Sequence, residues 1–474
     1  MNDALRRPFS KTLELAVAAH VIVFIVGVSW AFGGNADWVR TPISIWGSFG
    51  ILLTLVCLAV QIPGGRSVRT AVLFMLPILA LNGLVVTSCL TPGFRTLAFR
   101  NEMLMMPLAV DWWIPSSARA ELSLRALWLF DGIFFSCLNL VLAVGRRGTI
   151  RIVLAAAVGN AFALSVFGTV QKLVGSTGIY FGSVKSPQTM FFASFVYDNH
   201  WGAFIILMLG VCIGLVLRYA HGSKGGGFFR GPAFLGFVAA IVLGISIPFS
   251  GSRACTLLLA VMTLFALVQG VPRISHALRL SGVGLKGASI GMAVAAMLAF
   301  AGVWTVAGNV MEARVQKTKE QVAAMWAQGG IGSRSVLYHD TWRMARERML
   351  FGWGMGSFPT VFMLFNTQES KIDRIPVVYH DAHSDWLQSV AELGLAGTAL
   401  IGAAVAIPVF SVRRMRVSPL PFFLLVGCAL TAAYAWIEFP FGNVAVVLGW
   451  WICFVCAVHY IRLTGQQEES PRDP

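Results

Sequence analysis

Between positions 380 and 386 the chain reads His-Asp-Ala-His-Ser-Asp-Trp, a polar cluster at the head of an apolar run. Histidine is the side chain whose ordinary pKa, about 6.5, leaves it a neutral base at neutral pH. Placed where water, lipid headgroups and protein meet, His383 suits removal of a proton from a hydroxyl on a lipid-linked substrate. Two arginines complement it. Arg253, in Phe249-Ser-Gly-Ser-Arg253, begins one apolar run, and Arg334, in Gly332-Ser-Arg334, opens an amphipathic segment. A planar guanidinium holds a diphosphate through a two-pronged fork, which lysine does with less geometric definition. A helix start beside Arg334 would reinforce such an anion site. Plainer readings stay open: Arg253 snorkelling from a helix end, Arg334 a solvated charge, His383 a structural histidine. His380, Asp381, His383 and Asp385 read more as a charged loop meeting a helix than as metal ligands.

Other polar residues sit at the ends of apolar runs. Asp198-Asn199-His200 enters one, where capping accounts for the first two. Glu438, in Trp436-Ile-Glu438-Phe-Pro440, ends another, placed either for solvent or to pair with an arginine across a site. Asp131 differs because it falls in the middle of a run. A carboxylate at that depth costs about 2.5–3.5 kcal/mol on insertion scales, so it is paired or faces a wet cavity.

The elements that must position these residues are membrane helices. The 474 residues are 57% hydrophobic and 12% charged, about half the charge of a soluble domain. Separate apolar runs of helix-spanning length favour an all-α polytopic bundle over a barrel. Twelve transmembrane spans are expected, at 13–33, 43–62, 70–91, 122–144, 150–174, 199–218, 231–249, 253–271, 287–308, 383–411, 418–438 and 442–463. The first is too long in its apolar part for a cleaved signal peptide.

Basic residues crowd alternate connections: Arg66 and Arg69; Arg146, Arg147 and Arg151; Arg218, Lys224 and Arg230; Arg273, Arg279 and Lys286; Arg413, Arg414 and Arg416. The short connections at 34–42, 249–252 and 439–441 hold only Arg40. The positive-inside rule therefore puts both termini in the cytoplasm and His383 outside. The formal net charge of +15 sits mostly in the inner loops, so anionic membrane lipids are the expected partner and nucleic acid is not. All eight cysteines fall within or at the end of spans, so no disulfide framework or zinc site is read, Cys453-Phe-Val-Cys456 included.

The domain plan is a membrane bundle of nine spans over 1–308, an outer loop at 309–382, three further spans over 383–463 and a cytoplasmic tail at 464–474. Within the loop, Ser335 to Leu350 is an amphipathic helix. Leu337, Tyr338, Thr341, Trp342, Met344, Ala345 and Met349 share one side, and His339, Asp340, Arg343, Arg346 and Glu347 the other. Gly352-Trp-Gly354-Met-Gly356 then makes a turn. The outer loop 92–121, rich in methionine and tryptophan among Arg95, Arg100 and Glu102, suits the membrane interface, and an ordinary connecting loop is the equal alternative.

Taken in order, these features resemble the O-antigen ligase and polymerase superfamily of bacterial inner-membrane glycosyltransferases, over roughly 195–460. The family's histidine, small polar residue, nine residues and Gly-x-x-Gly correspond to His383-Ser384, 385–393 and Gly394-Leu-Ala-Gly397. Its Ser-Arg at the head of a span corresponds to Ser252-Arg253. Its arginine, aromatic and Gly-x-Gly-x-Gly-x-Phe stretch corresponds to Arg334, Tyr338, Trp342, Gly352, Gly354, Gly356 and Phe358. Asn199 and Glu438 match an asparagine entering a middle span and an acid before Phe-Pro. Ser384 stands where Asn is commoner, and Glu438 where Asp is usual. The first third of the chain carries none of these motifs and is a place for acceptor choice to reside.

The resemblance implies a glycosyltransferase C-like helical bundle with an amphipathic periplasmic lid, without cofactor or metal. The donor it implies is an undecaprenyl-diphosphate-linked glycan, and the acceptor a sugar hydroxyl on a lipid or growing glycan. Arg253 and Arg334 would hold the diphosphate and His383 would orient or deprotonate the acceptor. Asn199, His200, Arg343, Glu438 and Asp131 stand as supporting candidates. Ligase, polymerase and protein O-oligosaccharyltransferase share the motifs. A transporter or flippase of lipid-linked sugars is the competing class, although its ionisable residues belong at the midplane, where only Asp131 lies.

Overall fold

The computed structural model describes residues 3–61, 66–99, 102–111, 113–221, 231–280, 333–368 and 378–469. Ten helices among them are long and apolar enough to cross a membrane. They are α1 (Asp3–Trp30), α2 (Asp37–Gln61), α3 (Arg66–Leu90), α4 (Ala120–Ala143), α5 (Arg147–Leu173), α6 (Asp198–His221), α7 (Pro232–Ser250), α8 (Arg253–Leu280), α11 (Asp385–Val412) and α13 (Val444–Glu469). The chain is thus an all-α polytopic membrane bundle. The expected span at 418–438 is the shorter apolar helix α12 (Pro419–Tyr434). A turn at 435–437 follows it and leads to Glu438, and Pro440 keeps Phe439 out of helical geometry at φ −122° and ψ 59°. The expected span at 287–308 lies outside the described residues.

α6 and α13 run through the middle, with almost all of their apolar stretches buried. α2 and α4 are parallel and meet through small residues. A Cβ on Gly47 would stand 2.7 Å from the Gly132 Cα, so only glycine permits this approach. Deeper along the same seam, Asn139 Nδ2 donates to the Gly50 carbonyl at 2.8 Å and Thr54 Oγ1 donates to Asn139 Oδ1 at 2.9 Å. At the end of the bundle away from His383, buried Glu14 accepts from Arg146 Nε at 3.3 Å and from the Thr149 hydroxyl.

Two features depart from expectation. The loop at 92–121 holds a small antiparallel hairpin, β1 (Phe94–Phe99) with β2 (Glu102–Pro107), in which Phe94 faces Pro107 and Phe99 faces Glu102. Pairing satisfies backbone groups that a short apolar loop at a membrane surface has no helix to satisfy. The amphipathic helix α9 (Ser333–Glu347) is present and packs on α11, but its faces are not as drawn from the sequence. Leu337, Thr341, Met344 and Ala345 are buried as expected, yet Trp342 is exposed and Asp340 fully buried. Asp340 is buried because its carboxylate accepts from the Thr367 N–H at 2.9 Å and hydroxyl at 2.7 Å, tying the loop to the helix.

Candidate active site at one end of the bundle

The two glycine motifs interlock. α11 breaks at Gly394, where φ is 66° and ψ −175°. Into the break runs the stretch after α9, whose Gly352, Gly354 and Gly356 all have positive φ, of 68°, 101° and 72°. Its backbone pairs with the broken helix: Trp353 N–H to the Ala391 carbonyl at 3.0 Å, Gly354 N–H to Glu392 at 2.8 Å, Leu395 N–H to Met349 at 2.8 Å. A Cβ on Gly352 would lie 2.4 Å from the Glu392 backbone, and one on Gly394 2.3 Å from the Leu350 carbonyl oxygen. The buried Glu392 carboxylate completes the joint by accepting from Gly356 N–H at 2.8 Å and from the N–H of Phe358, first residue of the short helix α10 (Phe358–Val361), at 2.9 Å. The turn expected at 352–356 is this joint, and it fixes α9 against the start of α11.

His383 lies immediately before α11. Ser384 is the N-cap, its hydroxyl accepting from the Leu387 N–H at 3.4 Å, and His383 itself takes a left-handed φ of 51°. Such a conformation is costly outside glycine and persists only where its surroundings enforce it. Here Tyr338 Oη donates to the His383 carbonyl at 2.8 Å, and the imidazole stands edge-on to Phe439 with centroids 4.6 Å apart.

Glu438 is the hub. His383 Nδ1 is 3.4 Å from its Oε2, Asn199 Nδ2 donates to Oε1 at 3.2 Å, and the Arg334 guanidinium donates to the same Oε1. Burial alone would raise the Glu438 carboxyl, but the His383 hydrogen bond and the Arg334 charge outweigh it and hold the pKa below its ordinary value. Burial pulls Arg334 down, and the charge and hydrogen bond of Glu438 more than reverse that. An ionised carboxylate only accepts, so His383 carries its proton on Nδ1 and presents Nε2 as the basic nitrogen. Asn199 also accepts from Ser252 Oγ at 2.5 Å, which brings the head of α8, and Arg253 as its first residue, beside the cluster.

Residues 237–402 match the family model described as O-Antigen ligase. Over that stretch the chain is similar to the O-antigen ligase and polymerase superfamily, whose members are glycosyltransferase-like enzymes with lipid-linked glycan substrates in a membrane setting. No curated protein matches the chain. The O-antigen ligase stretch contains Arg253, Arg334 and His383, but Asn199 precedes it and Glu438 follows it.

Of the residues singled out from the sequence, His383, Arg334, Glu438 and Asn199 converge directly. His200 joins through Phe439: its Nε2 is 3.1 Å from the Phe439 carbonyl, while Asn35 reaches its Nδ1 at 3.2 Å. Arg343 does not converge. It falls on the opposite side of α9 from Arg334 and pairs with Asp340 at 3.7 Å. Asp131 lies apart as well, within α4, where Asn82 Nδ2 donates to it at 2.7 Å; that amide is the partner its depth required. The 380–385 segment divides: Asp385 turns away to accept from the Phe441 N–H at 2.8 Å, and Asp381 is raised above its usual range by burial despite His383, Arg40 and His380 nearby. Among the described residues no three His, Cys, Asp or Glu side chains come together as a possible metal site.

Tyr338, Glu392, Phe439 and Asn35 were not singled out for these roles. Tyr338 carried a signal, one turn beyond Arg334 and so on the same helix face. Asn35 carried none, since nothing in a short loop after the first span marks it for contact with His200, 165 positions away.

Proposed function

We propose that the protein transfers a glycan from undecaprenyl diphosphate to a sugar hydroxyl, as an O-antigen ligase or polysaccharide polymerase does, at the non-cytoplasmic face of a bacterial inner membrane. The observation that carries this is the shared carboxylate of Glu438, which binds His383 Nδ1 and Arg334 at once. His383 Nε2 takes the proton of the acceptor hydroxyl while that oxygen bonds to the anomeric carbon. The bond from that carbon to the diphosphate oxygen breaks with both electrons leaving on the diphosphate, so the anomeric configuration inverts. Arg334 uses two of its nitrogens on Glu438 and the Ile437 carbonyl, and its fork has N–H groups beyond those for the leaving group. Arg253, exposed at the head of α8, is the second cation for the same charge. The proton on His383 passes to the departing diphosphate or to water. No step requires a metal ion.

The same reading keeps both termini cytoplasmic and treats the amphipathic helix α9 as a lid over the site. A flippase would need a polar midplane path, and the Asp131–Asn82 pair supports no such path by itself.

The test is transfer by purified protein in nanodiscs, given an undecaprenyl-diphosphate glycan and a panel of sugar and lipid-borne acceptors. His383→Ala is expected to abolish product while leaving expression and melting temperature intact. Full product from that variant overturns the base assignment.

A further inference from the structure

On the N-terminal side of the Gly47–Gly132 contact, the facing sides of α2 and α4 line a cavity of about 810 Å³. Asp37, Arg40, Thr41 and Ser44 line it from α2, at spacings that share one helix face. Leu122, Arg125, Ala126, Leu129, Phe130 and Ile133 do the same from α4. Val444 and Val447 of α13 close the back, and the lining is completed by Met355 and Gly356 of the glycine stretch and by Asp381, two positions before His383. Those last three alone lie within the O-antigen ligase stretch; the other walls come from parts of the chain that the match does not cover.

We infer that this cavity seats the acceptor, and that the acceptor is a sugar carried on a lipid. The inference rests on the transfer reading above and assigns its second substrate to a place. Three observations carry it. First, the lining holds no surplus of cations: Asp37 and Asp381 stand against Arg40 and Arg125, and Arg125 is already paired to Glu121 at 2.6 Å. A site for an anionic headgroup would show surplus cations; a balanced set of donors and acceptors suits neutral hydroxyls. Trp128, Phe130 and Phe441 add aromatic surface for the apolar faces of sugar rings. Second, polar and apolar lining segregate along the helices. Residues 37–44 of α2 carry the hydroxyls and charges, whereas Leu129, Phe130, Ile133, Val444 and Val447 make an apolar floor. The rim residue Trp128 is 39% exposed, on the flank where Leu124 and Ile45 are also exposed, so a hydrocarbon chain has a way in from the bilayer. A polypeptide entering there would carry unsatisfied backbone groups into an apolar slot. Third, Asp381 lies two positions before His383, in electrostatic reach of both His383 and Arg40. The polar half of the cavity therefore ends beside the segment that carries His383.

Photolabelling in nanodiscs tests this, with dodecyl β-glucoside bearing a diazirine at the end of its alkyl chain. Label is expected on α2 and α4 peptides. Ala126→Trp, which projects an indole into the cavity, is expected to cut it about tenfold, the loss that 1.4 kcal/mol of binding represents. Thr41→Trp, at an exposed position on the rim, does the same without touching the helix contact. Arg40→Ala weakens labelling and raises the acceptor KM, with the donor KM unchanged. Excess dodecyl glucoside competes well and free oligosaccharide poorly. Undiminished label in Ala126→Trp and Thr41→Trp, label confined to other helices, or stronger competition by dodecyl phosphate than by dodecyl glucoside would overturn the inference. His383→Ala separates the two claims: it is expected to label normally while losing transfer. Transfer surviving in that variant removes the catalytic reading, whereas unchanged labelling in the cavity variants removes only the acceptor site.

Discussion

Glu438 accepts from donors on three separate segments, and each of those donors does something different. His383 is oriented by it, Arg334 is held by it, and Asn199 links it to Ser252 at the head of α8. Glu438→Gln keeps the size but replaces an acceptor with a mixed amide, so the imidazole loses the carboxylate that sets its tautomer. The expected result is a fall in kcat of about 10–100-fold, the usual cost of losing a partner that orients a reactive histidine, with much less change in KM. The pH dependence follows from the lowered Glu438 pKa. A carboxyl whose folded value lies below its unfolded value, about 4.3, contributes stability that is complete above the unfolded value and is lost as pH falls through the folded one. Melting curves of wild type and Glu438→Gln should therefore differ most near neutrality and converge in acid. Arg253→Lys keeps the charge but not the fork, and is expected to lose most transfer activity; normal kcat/KM there would remove the diphosphate role.

At the scale of elements, the joint between the glycine stretch and the break in α11 does the positioning. A Cβ at Gly352 or Gly394 collides with backbone, which has nowhere to move, and both residues have positive φ. The conformational cost alone is about 1–3 kcal/mol, so Gly394→Ala is expected to lower the melting temperature and expression together, where Gly402→Ala, with open space around its Cβ, changes neither. Glu392→Ala leaves the Gly356 and Phe358 N–H groups unpaired, at about 1–3 kcal/mol, and thermal unfolding in detergent reads that directly. The hairpin at 94–107 shows where period and length mislead. Its apolar residues are irregularly spaced among Arg95, Thr96 and Glu102, and only pairing between the strands gives them an order. Asp340 and Trp342 make the same point on α9: the apolar stripe locates the helix, but two bonds from Thr367 hold Asp340 buried on the side drawn as polar.

For the whole molecule, alternate connections concentrate arginine at the end opposite His383, and the proposed orientation rests on that asymmetry. Cysteines placed at Ser183 and at Gly145 lie at opposite ends of α5 and its flanking loop. An impermeant thiol reagent applied to intact spheroplasts is expected to label Ser183→Cys and spare Gly145→Cys; the reverse pattern would place the site inside. Chelation by EDTA is expected to leave transfer unchanged, and inhibition restored by a divalent cation would bring back the metal reading. At this scale the close seam between α2 and α4 also matters. It is made where Gly47 meets Gly132, and it leaves the cavity beside the site as the place where the first third of the chain meets the matched stretch.

Hydropathy, charge asymmetry and motif order were enough to determine a polytopic helical bundle and to nominate His383, Arg334, Asn199 and Glu438, because long apolar runs have few alternatives in lipid and a polar residue at their ends demands a reason. Tertiary structure alone decided which nominees meet. Arg343 and Arg334 share a helix but not a face, Asp131 finds a neighbour in Asn82, and Glu438 gathers partners from α6, α9 and the approach to α11. Contacts between residues hundreds of positions apart depend on how helices cross, and crossing is settled by small residues at a few close approaches, which leave no periodic trace in the sequence.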